Sequence, residues 1–283
     1  MRRLTLTLLC VGWTVAVAAQ ELRVPNLRTS VKFAVIGNTG SGDRAQRDVA
    51  TQLTAFRAIF PFELVVMLGD NIDGDKPKDY VDKFEQPYKS LLEAGVKFYA
   101  ALGNHDNPNQ RFYKLFNMTG KHYYAFTPAM LGGVHFFVLD SSRLMPAQVE
   151  WLDQELAASG SDWKILLLHH PLYSSGDQNR SNVTLRERLE PVFLEHRVNV
   201  VLTGHDHIYE RLHPQTGIVY FAAGSSAKPR RGSAPSALTA KAYAGHTFML
   251  VEIEGNDLHF QAVNERGVVV DHGIVRKDRQ ISK

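Results

Sequence analysis

The feature that most constrains this chain is a set of five apolar runs, each followed, directly or after one glycine, by Asn, Asp or His. Residues 31–37 run into Asn38, and 63–68 into Gly69-Asp70-Asn71. Residues 97–102 run into Gly103-Asn104-His105-Asp106, 164–169 into His170-Pro171, and 199–203 into Gly204-His205-Asp206-His207. An uninterrupted apolar run of this length suits a strand buried on both faces, in a sheet covered by helices. Helical spacing fills the gaps. Residues 43–59 carry Ala45, Val49, Leu53 and Phe56 at that spacing, and 79–94 carry Tyr80, Phe84, Tyr88 and Leu91. Pro146 suits a first helical turn, 148–158 is helical with Trp151, Leu152 and Leu156 facing inward, and 184–196 is helical too. Residues 122–126 and 134–140 read as strands, and 107–121 as a long polar loop with Phe112, Tyr113 and Phe116. After His207 the pattern changes to successive strands at 218–222, 247–254, 258–264 and 268–276. Residues 224–245, rich in Gly, Ser, Ala and Pro, read as a mobile loop. The pattern predicts one α/β domain over 31–276 with its β-rich end packed into the same unit, then a tail at 277–283.

Residues 1–20 have the layout of a secretory signal: Arg2 and Arg3, an apolar stretch from Leu4 to Ala19, and a small-x-small site at Ala16-Val17-Ala18. The alternative is an uncleaved anchor, but a run of about 16 residues falls short of the ~20 that a span needs. Cys10 lies inside this segment, and the bulky Leu8 and Leu9 before it do not suit lipidation. Cleavage would leave no cysteine, no stable membrane anchor and a net charge of +1 in place of +3. Residues 21–30 would form a short leader. The expected product is exported, periplasmic or secreted. One cysteine excludes an internal disulfide framework, and the weak, mixed charge argues against a nucleic-acid partner. Oligomeric state stays open.

In open α/β sheets ligands sit beyond the carboxyl ends of the strands. A single Gly-Asp turn or a lone histidine there is ordinary. Five such ends in order share one edge, and Asn, Asp and His form the oxygen and nitrogen donor set of Zn, Fe, Mn or Mg. His205 and His207, two apart, reach one site only from an irregular loop, which Gly204 permits.

This set resembles the calcineurin-like metallophosphoesterases, in their purple acid phosphatase-like (tartrate-resistant acid phosphatase-like) branch, over nearly all of 31–276. The resemblance implies a four-layer α/β/β/α sandwich of two mixed sheets flanked by helices. It implies hydrolysis of phosphate monoesters at two metal ions about 3.5 Å apart, which clamp the phosphate oxygens and activate a water as hydroxide. Carried over by position, Asp70 bridges the ions, Asn104, His169 and His205 hold the second, and His207 helps hold the first. His169 is preferred to His170 because the family places its ligand two residues before the proline. His105 would give the leaving oxygen its proton, with Asp106 orienting the imidazole.

Two positions depart from the family. Its first aspartate is Asn38 here, and the branch's tyrosine three residues after the bridging aspartate is Asp73. The first-metal set becomes Asn38, Asp70, Asp73 and His207, with fewer anions to stabilise a trivalent ion. Two divalent ions (Fe, Zn or Mn) are expected, with no ferric colour and a first site that is weakly held or empty. Asn38 could still ligate through its carbonyl oxygen, or persist as a turn residue. The rival functions are an impaired homologue that binds phosphate or a partner, and a diesterase or nucleotidase on the same ions.

Other motifs weigh less. Residues 40–45 match G-x-G-x-x-A, but the acid at the end of strand two comes too late for a dinucleotide fold. Asp43-Arg44 stands where a P-loop needs Lys-Ser/Thr. Lys228, Arg230 and Arg231 read as a solvated loop or a lure for anionic substrates. Asn117 and Asn182 head acceptor sequons, which matter only in a eukaryotic secretory host.

Overall fold

The computed structural model describes residues 20–128, 133–160, 162–176, 181–227 and 235–277. Cys10 with residues 1–19 of the signal segment, Lys228, Arg230, Arg231 and nearly all of the tail lie outside them. In chain order the strands begin with β1 (Val31–Ile36), β2 (Leu64–Leu68), β3 (Lys97–Ala101), β4 (Tyr124–Phe126), β5 (Val134–Val138), β6 (Trp163–Leu168) and β7 (Val200–Thr203). They continue with β8 (Tyr209–Leu212), β9 (Val219–Ala223), β10 (Thr239–Tyr243), β11 (Thr247–Glu254), β12 (Asp257–Asn264) and β13 (Val269–Arg276). One sheet has the order β13-β12-β11-β1-β2-β3, the other β10-β8-β9-β7-β6-β5-β4. Strands β1 to β3 are parallel, and so are β5, β6, β7 and β9; the outer strands join antiparallel. Both sheets are therefore mixed, and helices cover their outer faces, as the four-layer reading expects.

The apolar runs are continuous because the central strands bury both faces. In β6, Ile165 and Leu167 point between the sheets, while Leu166 and Leu168 meet the helices α4 (Pro146–Ala158) and α5 (Val183–Glu195) through Leu152, Leu156, Leu189 and Phe193. Phe33 of β1 meets Phe136 of β5 edge-on across the sheets, with centroids 5.1 Å apart. On the other side, α1 (Arg44–Ile59) buries Val49, Ala50, Leu53 and Phe56, and Phe56 meets Phe248 of β11. Asp43 caps α1 by accepting from Gln46 N at 3.0 Å.

Three local readings change. The helix expected over 79–94 is α2 (Pro77–Tyr80), a π turn at Val81–Glu85 and α3 (Lys89–Glu93). Gln46 Nε2 donates to Lys83 O at 2.6 Å, and an inserted side chain of this kind disturbs the helical ladder. The loop 107–121 contains two 3-10 turns, Pro108–Phe112 and Lys114–Phe116; Phe116 is fully buried, while Phe112 is exposed. Strand β10 falls inside the loop expected at 224–245, and β8 in a stretch to which no element was assigned. At the N-terminal side, Asn26 N and Leu27 N donate to the buried Glu252 carboxylate at 2.5 and 2.6 Å, so residues 26–27 are tied to β11.

Candidate functional site

Strands β1, β2, β3, β6 and β7 end at one edge, and the loops beyond them interlock. Asn38, Asp70 and His205 sit in the left-handed region, at φ 53°, 52° and 63°. Asn, Asp and His are the residues other than glycine that enter this region most readily. The loops also approach closely: a Cβ at Gly103 would lie 2.2 Å from Asp70 Oδ1.

Four donor atoms converge there. Asn104 Oδ1 is 3.0 Å from His169 Nε2 and 3.0 Å from His205 Nδ1. The two ring nitrogens are 3.1 Å apart, and His169 Nε2 is 3.4 Å from Asp70 Oδ1. His169 Nδ1 bonds to Leu68 O at 2.8 Å, which puts a proton on Nδ1 and leaves Nε2 with its lone pair. Asn104 Oδ1 and His169 Nε2 thus face a carboxylate, an arrangement that a proton on His205 Nδ1 or a cation at its centre would satisfy. Asn104 Oδ1, His169 Nε2 and His205 Nδ1 form a triangle with edges of 3.0–3.1 Å, small enough for one cation to sit about 2 Å from each, the usual metal–nitrogen distance, and Asp70 Oδ1 lies beside it through His169. These residues fit the family's second ion. His170, whose ring also lies in this cluster, bonds through Nδ1 to Ser141 Oγ at 2.9 Å.

The electrostatics agree. Burial works against the Asp70 carboxylate, but His169 and the His105 N–H at 3.0 Å outweigh it and lower its pKa to about 2. Burial, then the charge of His169, pushes His205 down to about 3 and His170 to about 4, so both rings are neutral at neutral pH. For His169, burial pulls down but Asp70 wins, and its pKa is raised.

The first ion's set does not fit in the same way. Asn38 Oδ1 accepts from His205 N at 3.0 Å, so the amide nitrogen must face the other way. There Nδ2 donates to Asp70 Oδ2 at 3.1 Å. Asn38 is fully buried and supports the loops instead of offering a free oxygen. The Asp73 backbone is anchored by Gly40 O, at 3.0 Å from Asp73 N, and by Lys83 Nζ donating to Asp73 O. His207 is half-buried, and its charge bears on His205.

Asp106 takes a different part from the one expected. Its buried carboxylate accepts from Asn71 N at 2.7 Å, Gly103 N at 2.8 Å, Asn71 Nδ2 at 2.9 Å and Ile72 N at 3.2 Å. Those donors stitch the β2 and β3 loops together, and the His105 ring is not among them. Burial raises Asp106 to about 6 against the pull of those donors. Asn71 was given no role from sequence, although it stands in the Gly-Asp-Asn turn; its Nδ2 also donates to Ala101 O at 2.7 Å. His105 itself is exposed. A separate cavity of about 800 Å³, lined by Arg28, Lys32, Lys97 and Tyr99 among others, opens at the opposite end of β1 to β3 and contains none of the predicted residues.

Residues 31–209 match the calcineurin-like phosphoesterase family, which decides the matter. The chain belongs to that family. Among its relatives, human tartrate-resistant acid phosphatase type 5 is 22% identical over 258 residues, covering 75% of this chain and 79% of the relative. Purple acid phosphatase 7 of Arabidopsis thaliana is 24% identical over 287 residues, covering 84% and 87%. In fold, this chain is similar to Plasmodium GAP50, described as the anchor in the inner membrane complex: TM-score 0.81, 18% identity, 90% of this chain and 91% of that one. It is also similar to the yellow lupin purple acid phosphatase PPD1: TM-score 0.73, 17% identity, 90% of this chain and 55% of that one. A metallophosphoesterase of this family uses a dinuclear metal centre.

Proposed function

We propose that this phosphoesterase is exported and hydrolyses phosphate monoesters, with 1–20 removed as a signal and 31–276 acting as one unit. The observation that carries the reading is the convergence of Asn104 Oδ1, His169 Nε2 and His205 Nδ1 within 3.0–3.1 Å of one another, with Asp70 Oδ1 3.4 Å from His169 Nε2. A cation bound there supplies Lewis-acid charge to a phosphoryl oxygen. The chain's own residues do the rest. Asp70 and Asn104 would fix the cation's place, and His169 Nε2 and the neutral His205 ring would add nitrogen donors. His105 N bonds to Asp70 Oδ1, which ties this exposed residue to the cluster, and on this reading its ring gives a proton to the leaving oxygen. Among the described residues, no helix is long and apolar enough to cross a membrane.

A second reading is favoured by one observation, the Asn38 amide on Asp70 Oδ2. On it, the chain binds phosphate or a partner and turns nothing over. The deciding experiment is turnover of a monoester and a diester by purified protein supplied with Mn, Zn or Fe. Monoester turnover that falls about 10²–10⁴-fold in His105→Ala supports hydrolysis. Absence of turnover with every ion supports the binding reading, and turnover confined to the diester moves the substrate class. A precursor retaining 1–20 after expression in an exporting host refutes the signal.

A further inference from the structure

We infer that Asn38 stands in for one of the family's two ions, so that this chain retains a single divalent cation on Asp70, Asn104, His169 and His205. The inference deepens the functional reading above and shares its cation position. It begins with an amide that cannot turn. Asn38 Oδ1 accepts the His205 N–H at 3.0 Å and sits where a Cβ on Gly224 would lie only 2.8 Å away. Rotating the amide would set its N–H groups against the His205 N–H and its oxygen against the Asp70 carboxylate, so two good bonds would become two repulsive contacts.

Fixed this way, Asn38 presents Nδ2 to Asp70 Oδ2 at 3.1 Å. An amide nitrogen has no lone pair for a metal. The outer oxygen of the expected bridging carboxylate is already satisfied by a neutral donor, while the inner oxygen faces the His169 ring. Asp70 is divided between an amide and a cation, where the family's arrangement divides it between two cations. The flanking loop adds to this. Lys83 Nζ donates to Asp73 O and pairs with Asp79 Oδ1 at 2.9 Å, which places an ammonium beside the loop that would carry the first ion's Asp73. The lost anion at position 38 opposes a second divalent charge, and Lys83, held by Asp79 and Asp73 O, brings no anion to replace it.

The test counts ions, without substrate. Metal-free protein is loaded with Zn or Mn, desalted and assayed for metal per chain, and the same titration is followed by calorimetry. The native chain should retain one ion, with any second equivalent bound at least about 100-fold more weakly, the upper end of what loss of supporting contacts does to a metal site. His169→Ala should retain none. Asp73→Ala and His207→Ala should still retain one. Asn38→Asp should retain two, and its metal-free form should melt lower than the native chain and recover when metal is added, because two carboxylates then face each other. Two tightly held ions in the native chain, no ion at all, or loss of the ion in His207→Ala would each overturn the inference. Where Asn38→Asp fails to fold, the native and His207→Ala counts decide alone. One retained ion without turnover leaves this inference standing and removes hydrolysis; two ions with turnover does the reverse.

Discussion

Replacing Asp106 with asparagine separates a loop clamp from a partner of His105. At pH 7.5, above its raised value of about 6, Asp106 is a carboxylate accepting four N–H bonds. In Asp106→Asn, one oxygen keeps the bonds from Asn71 N and Ile72 N. The new NH₂ then faces Gly103 N and Asn71 Nδ2, donor against donor. Each buried donor left without an acceptor costs about 1–3 kcal/mol, so the loss is about 2–6 kcal/mol. The Asn71 amide could flip to offer its Oδ1, which has no partner in the native chain, but this abandons Ala101 O and holds the cost near the lower end. For a domain of this size, 2 kcal/mol corresponds to a drop in melting temperature of at least about 4 °C. Guanidinium unfolding followed by tryptophan fluorescence, alongside thermal melts, gives the number. If the variant unfolds within about 0.5 kcal/mol of the native chain while monoester turnover falls, the clamp argument is wrong and Asp106 acts through His105.

Other expectations use different probes. In metal-free protein the Asp70 pKa is lowered from 3.8 to about 2, so its contribution is present above about pH 4 and lost as pH falls through 2. The shift corresponds to about 2 kcal/mol, which guanidinium unfolding at pH 5 and pH 2 would register; a slope unchanged in Asp70→Asn refutes the assignment. Glu252→Gln turns an NH₂ toward Asn26 N or Leu27 N, and amide exchange should accelerate over 22–30 while β1 and β11 stay protected. Equal exchange in both chains would mean that other contacts hold the segment. Phe136→Ala removes a ring that meets Phe33 at 5.1 Å and stacks on Phe126 at 4.8 Å, and should cost about 3–5 kcal/mol in denaturant unfolding. A loss below about 1 kcal/mol would show that the two sheets repack without it.

Much of the fold was legible because burial on both faces writes itself as unbroken apolar sequence. Strands such as β2 and β6 needed no alternation to be read, and the polar residues after them marked the functional edge. Strands β8 and β10 escaped for the opposite reason. Tyr209–Leu212 contains Glu210 and Arg211, and Thr239–Tyr243 follows a Gly- and Pro-rich stretch, so neither shows a run or a period. The break in the helix after Pro77 depends on Gln46, which comes from another element and leaves no local trace. At the site, residue type predicted which side chains meet but not how they divide their bonds. Asn38 has the composition of a weak ligand. Its orientation is set by a backbone N–H 167 residues away in sequence. Asp106 likewise sits beside His105 in the chain, yet its donors come chiefly from the neighbouring loop.

The left-handed backbone at position 38 has an evolutionary consequence. Asparagine and aspartate are nearly equal in size and both accept that conformation. Exchanging one for the other leaves the turn after β1, and hence the loop it supports, undisturbed, while it alters the charge facing Asp70 by a full unit. On the single-ion inference, a single codon step then changes the number of ions without changing the main chain, and its cost falls on the metal-free state, where two carboxylates would face each other. The number of ions in such a scaffold is then free to drift or be selected independently of its architecture, and two chains of the same shape can differ in chemistry at one side-chain atom.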